Sequence, residues 1–214
     1  MSGVRRRASV LSVSLAAGLL LSYIWLWQGT FSGDRVLVCV LYAALGGLGH
    51  LARGEGPREI GWTGKAFGRA LAGLTPFMLL VGGGAVVVGA ALGSLRPPRV
   101  GHLPVLLLVA VFWGVAQEYG LVAIFYRGLV EILPEGPARW ASAALFALCH
   151  VPNPALTLLT LAAGYVACSV YRRAPNLWAL GVAHAVVSLA VSRSLPLAWT
   201  GGMRVGPGFL RFTV

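Results

Sequence analysis

The sequence predicts an all-α fold, a polytopic membrane bundle of about seven transmembrane helices. Three observations lead there. The 214 residues are 57% hydrophobic and only 11% charged, with a mean hydropathy of +0.80, which is too apolar for a soluble domain. The apolar residues fall into runs near the roughly 20 residues that a helix needs to cross the hydrocarbon core. The arginines lie between those runs and not along one soluble face. All the runs are expected to pack together, so residues 1–214 are read as a single integral membrane domain.

The first span is expected at about Ser9–Trp27. Met1 to Arg7 before it resembles the start of a signal peptide. The run is long enough to span, however, and no clear small-residue cleavage site follows, so it is read as a retained helix. The second span is about Val36–Leu51. The third is about Ala70–Leu95, softened by Gly82, Gly83 and Gly84. The fourth, about Leu103–Ile132, is longer than a crossing needs. The fifth, about Ala138–His150, is too short to cross alone and ends in His150-Val-Pro-Asn-Pro154, where two prolines interrupt helical hydrogen bonding. The sixth is about Pro154–Tyr171 and the seventh about Leu177–Ser194. The tail Leu195–Val214, rich in glycine and proline, reads as a loop or a partly re-entrant segment.

A net charge of +11 raises the question of nucleic acid, and the placement of the arginines excludes it. Charges between apolar runs set topology and meet anionic lipid. With the N-terminus cytoplasmic, the inside segments hold 11 Lys/Arg and the outside segments 6. A multi-pass protein of the inner (plasma) membrane with a cytoplasmic N-terminus follows. The loops Ala52–Arg69 and Arg172–Asn176 are then cytoplasmic, the first as an interfacial amphipathic segment. Cys39, Cys149 and Cys168 lack CxxC spacing and read as small buried hydrophobes. His50 and His102, near span ends, read as interfacial.

Glu118 is the only acid well inside an apolar stretch, and His150 and His184 are also set in apolar stretches. An ionised carboxylate in hydrocarbon costs several kcal/mol, so it is expected to face a bundle interior or a wet cavity. At a helical rise of roughly 1.5 Å per residue, Glu118 lies ~14 Å deep, His150 ~18 Å and His184 ~10 Å from the cytoplasmic boundary. The three are expected to line one cavity opening toward the cytoplasmic half. Non-helical backbone after His150 is tolerated at that depth only where it is buried in protein or lines water. Ser188 stands one turn beyond His184 on the same face. Glu118 and Arg127, nine residues apart, lie on opposite sides of a straight helix, which argues against their pairing.

The run from Gln117-Glu118 to Arg127-Gly128, then Phe146 to His150, then His184 to Ser188 resembles the CPBP family of intramembrane proteases, the CAAX-prenyl-protease and bacteriocin-processing (ABI) group. That family carries EExxxR, FxxxH and HxxxN/D on separate transmembrane helices. The resemblance runs from Trp113 to about Ser192, within a core of about 104–194. Phe146 and His150 satisfy the second motif. His184 matches the third, with Ser188 where Asn or Asp is usual. Arg127-Gly128 matches the end of the first, but Val122 and Ala123 stand at its two glutamate positions, and Glu118 is displaced four residues ahead of them.

The resemblance implies a glutamic-type endopeptidase of a divergent bacterial branch, acting on a membrane-embedded or lipidated peptide. Glu118 would be the general base, His150 would position water, His184 and Ser188 would donate to the oxyanion, and Arg127 would order the inner end of the site. No cofactor is expected. Zinc is the runner-up, because two His and one Glu form a known ligand set, but no HExxH occurs. The alternatives are a catalytically inactive CPBP-like binding or accessory protein and a proton-coupled transporter, for which no internal repeat gives support.

Overall fold

The computed structural model describes residues 2–98 and 100–212, so Arg99, counted above among the outside charges, lies outside the described residues. Helix α1 (Ser2–Ser22) continues into a π-helical turn, Tyr23–Trp27. A short turn follows. In it, the Asp34 carboxylate accepts the Gly29 N–H at 2.6 Å, fixing the entry to α2 (Asp34–Arg53) with an acid at its positive end. Helix α3 spans Phe67–Ala91. Pro76 lies in its first, α-helical part, and a π-helical stretch, Met78–Gly83, follows two residues later and takes in Gly82 and Gly83.

Helix α4 runs from Val100 to Leu129 and is α-helical from Leu103 to Glu118 and π-helical from Tyr119 to Tyr126. Helix α5 (Glu135–Leu148) has 14 residues, too few to cross. Helices α6 (Pro154–Arg173) and α7 (Leu177–Ser194) are full-length. Among the described residues, six helices are thus long and apolar enough to span, with α5 as a seventh, partial one. The tail folds as two short helices, α8 (Leu197–Thr200) and α9 (Gly206–Leu210).

The main core joins α4, α5, α6 and α7 through Leu121, Val122, Phe146, Cys168, Tyr171 and Leu180. Two glycine crossings set the spacing. A Cβ at Gly181 would overlap Val115, and one at Gly114 would run into the Gly181 carbonyl, so α4 and α7 meet backbone to backbone. A Cβ at Gly164 would sit 3.1 Å from Ala143 Cα, which seats the short α5 tightly on α6. Two loops share one end of the bundle: Asn176 donates to the carbonyls of Thr63 and Lys65 at 2.6 and 2.9 Å, and Leu177 N–H to Gly61 O at 3.0 Å. The segment Ala52–Arg69 is therefore largely a packed series of turns, not an interfacial helix.

Candidate functional site

The α4–α7 crossing places the next turn of each helix in register for a polar contact. One turn beyond Gly114 and Gly181, His184 Nδ1 meets Glu118 Oε1 at 3.0 Å. Glu118 is buried, and its second oxygen, Oε2, is buried with no hydrogen-bond partner. Such an atom costs on the order of 1–3 kcal/mol when left unsatisfied, and more when charged. On the other side of the ring, His184 Nε2 lies 3.3 Å from the Gln117 amide nitrogen.

His150 follows α5 in the turn that precedes α6. Its Nδ1 lies 2.8 Å from the Phe146 carbonyl. A carbonyl only accepts, so Nδ1 carries the proton and Nε2 presents a lone pair. Both imidazoles flank the Phe146 ring, at centroid distances of 4.9 Å for His150 and 6.4 Å for His184. The turn itself is anchored by Asn153, fully buried. Asn153 caps α6 by accepting from Leu156 N–H at 3.1 Å and donates to Thr200 O and Arg204 O at 2.8 and 3.0 Å. Gly206 N–H completes the clasp on Val151 O at 2.9 Å. The tail is thus the seal of the His150 turn, a role that only the Asn between two prolines hints at in the sequence.

Glu118, His150, His184 and Ser188 all line one cavity of about 850 Å³. The Ser188 hydroxyl donates to Ala185 O at 3.2 Å, within its own helix. Val122 and Ala123, at the usual glutamate positions of the first motif, are fully buried and do not line the cavity. The stretch between Glu118 and Arg127 is π-helical over Tyr119–Tyr126, with i→i+5 hydrogen bonds that widen the helical turn.

Two expectations are corrected. The cavity does not open toward the end carrying the loops Ala52–Arg69 and Arg172–Asn176. Its open end is lined by the exposed α1–α2 turn and by the tail, at the opposite end of the bundle. The reason is packing: at the loop-rich end, α1, α2 and the inner part of α4 close together around Val13, Ala16, Ile124 and Phe125.

Arg127, expected to order the inner end of the site, does not line the cavity. It belongs to a second buried cluster. Glu55 Oε1 accepts from Arg127 Nε at 2.8 Å and Nη2 at 2.6 Å. Glu55 Oε2 meets Arg53 Nε and His50 Nδ1, each at 2.8 Å. His50, expected to be interfacial, is buried here. Burial alone would raise the Glu55 pKa. The His50 and Arg127 hydrogen bonds and the Arg53 charge overcome it and hold the group down at about 2.

His184 has both ring nitrogens engaged and His150 has one left. Among the described residues no three His, Cys, Asp or Glu side chains gather as a metal site does.

Compared with known proteins, residues 99–190 match the family model described as type II CAAX prenyl endopeptidase Rce1-like. No curated protein and no solved structure matches the chain. The matched segment contains Glu118, His150, His184 and Ser188, and it is similar to the Rce1-like type II CAAX prenyl endopeptidases of the CPBP family. The chain is accordingly a multi-pass membrane peptide-bond hydrolase.

Proposed function

We propose that the protein cleaves a membrane-embedded or lipidated peptide by a glutamic-type mechanism in which Glu118 activates water. The observation that carries this reading is the buried, unpartnered Glu118 Oε2 beside His184 in the cavity. A water held there donates one hydrogen bond to Glu118 Oε2 and the other to the His150 Nε2 lone pair. Glu118 takes the proton as the water oxygen attacks the scissile carbonyl carbon. The resulting oxyanion accepts from Ser188 Oγ–H and from His184 Nε2–H. For the second donation, the doubly protonated ring keeps Nδ1–H on Glu118, and Gln117 turns its amide oxygen inward or moves aside. The C–N bond then breaks, and the leaving amine takes the proton back from Glu118. No metal or cofactor enters these steps.

Several features support a substrate within the bilayer. The cavity wall is largely apolar, with Leu121, Phe125, Leu156 and Val187 around the polar cluster. The matched family is described as acting on prenyl-modified CAAX peptides, and a lipidated or membrane-anchored peptide is the substrate class proposed here. Localisation to the plasma membrane with a cytoplasmic N-terminus is proposed on the arginine distribution.

The test is Glu118→Gln in purified protein, assayed for cleavage of a membrane-anchored peptide reporter. Loss of cleavage with retained folding supports the reading. Unchanged cleavage with altered stability would make Glu118 a structural carboxylate and favour a non-catalytic binding role.

A further inference from the structure

Four charged side chains line the cavity: Glu118 at its floor, and Arg35, Arg204 and Arg211 at its open end. All three arginines are exposed, and Glu118 is the only acid among the described lining residues. The nearest other carboxylate at that end is Asp34, which is buried and engaged by the Gly29 N–H. No described salt bridge includes any of the three arginines, whereas Arg53, Arg127 and Arg172 at the other end pair with Glu55 or Glu135.

Their mounting comes from separate parts of the chain. Arg35 projects from the first turn of α2. Arg204 and Arg211 sit on the tail, which the Asn153 and Gly206 hydrogen bonds hold over the His150 turn. The Arg204 guanidinium rests on the Phe212 ring, 4.7 Å from its centroid, which restricts the side chain while leaving its donors free. Between this rim and Glu118 the wall is apolar, from Ile24, Val38, Met203 and Val205.

We infer that Arg35, Arg204 and Arg211 form an anion-binding rim that selects peptide substrates carrying acidic side chains beside the apolar stretch to be cut. This rests on the peptidase reading of the Glu118 site and names the substrate class for it. Guanidinium forks match carboxylates bidentately, and an unpaired positive rim above an apolar channel supplies charge complementarity for register. Lipid phosphate offers similar chemistry. The peptide is favoured because these arginines line the channel leading to Glu118, where a headgroup would block the path. Together with the direction of the opening, the rim has the substrate enter from the end opposite the arginine-dense loops.

The experiment measures binding and cleavage separately, with protein in neutral-lipid nanodiscs. The probes are a dye-labelled, C-terminally amidated Leu/Ala peptide of about ten residues, ~33 Å when extended at ~3.3 Å per residue, ending in Asp-Asp, and an amidated twin ending in Asn-Asn. Wild type is expected to bind the acidic probe about tenfold tighter, a preference that shrinks with salt. Combining Arg35→Gln, Arg204→Gln and Arg211→Gln should erase the preference without changing affinity for the neutral twin. Should that triple variant not fold, the salt titration of wild type and Arg204→Glu with a Lys-Lys probe, expected to reverse the preference, decide the matter. Equal affinity of wild type for both probes overturns the inference. So does a lack of discrimination combined with saturable binding of phosphatidylglycerol that Arg204→Glu abolishes, which would make the rim a lipid anchor. Binding of the acidic probe without its cleavage leaves the rim standing and counts against the peptidase reading alone.

Discussion

Two carboxylates with nearly enclosed side chains, Glu55 at 9% and Glu118 at 6% exposed, divide the chemistry of this molecule. Glu55, at the loop-rich end, has both oxygens satisfied by His50, Arg53 and Arg127. Glu118, in mid-bundle, has one oxygen on His184 and the other on nothing. A saturated carboxylate surrounded by cations is held in one state and acts as a latch between α2 and α4. A half-satisfied one beside two imidazoles keeps an acceptor free for water. Burial therefore does not separate structural from reactive acids here; the count of unmet hydrogen bonds does.

The sharpest way to break the comparison is to neutralise each acid in turn. Glu118→Gln is expected to lower the cleavage rate by on the order of 10²–10⁴-fold, read in a reporter-peptide assay, with little change in thermal unfolding. Glu55→Ala should do the reverse. Removing one partner of a buried ion pair strands the other, at a cost of about 3–5 kcal/mol, because Arg53 and His50 would be left buried and uncompensated. Unfolding curves and detergent stability of the purified protein report it. If Glu55→Ala abolished turnover in protein that remained folded, the latch reading would fail.

Acid titration sharpens the same contrast. Glu55 is held at about 2 in the folded protein, below its usual value of ~4.3. A depressed carboxylate contributes stability that is fully present above the unfolded value and is lost as pH falls through the folded one. Thermal stability is expected to decline between about pH 4.3 and 2, and Glu55→Gln should flatten that decline relative to wild type. An unchanged slope in the variant would assign the acid sensitivity to other groups.

The smallest expected effect concerns Ser188. Its hydroxyl now points to its own helix, and an Asn amide at this position reaches further. Ser188→Asn is expected to preserve or raise cleavage, by at most a few-fold on the scale of a single oxyanion donor. A loss larger than tenfold would show that the cavity has no room for the family's usual residue.

Labelling of cysteines introduced at Lys65 and at Thr30, in a cysteine-free background, tests sidedness. Lys65 is expected to label only from the cytoplasm and Thr30 only from outside. The opposite pattern would invert the orientation and the side from which the cavity is filled.

Much of the site was legible because charge in an apolar run is costly and so informative. Glu118, His150 and His184 stood out on that ground alone, and the prolines after His150 marked the irregular turn that carries it. Glu55 was not legible: in the loop Ala52–Arg69 it reads as part of an interfacial amphipathic segment, and its ion pairing depends on Arg127, 72 residues away. Gln117 and Asn153 were missed for a related reason. Neutral amides are common, and only their partners, His184 for one and the tail carbonyls for the other, give them a role.

The sequence by itself determined the all-helical membrane bundle and, to within one partial helix, the number of its spans. Those follow from hydropathy and from a fixed rise per residue, both local properties. Tertiary structure decided which carboxylate is sated and which is not, where the π-helical turns shift α4, and which end of the cavity is open. Each of these depends on how closely two helices approach, at Gly114 and Gly181 for the site and around Val13 and Phe125 for the closed end. Approach distance is set by side chains far apart in the chain, and no local pattern records it.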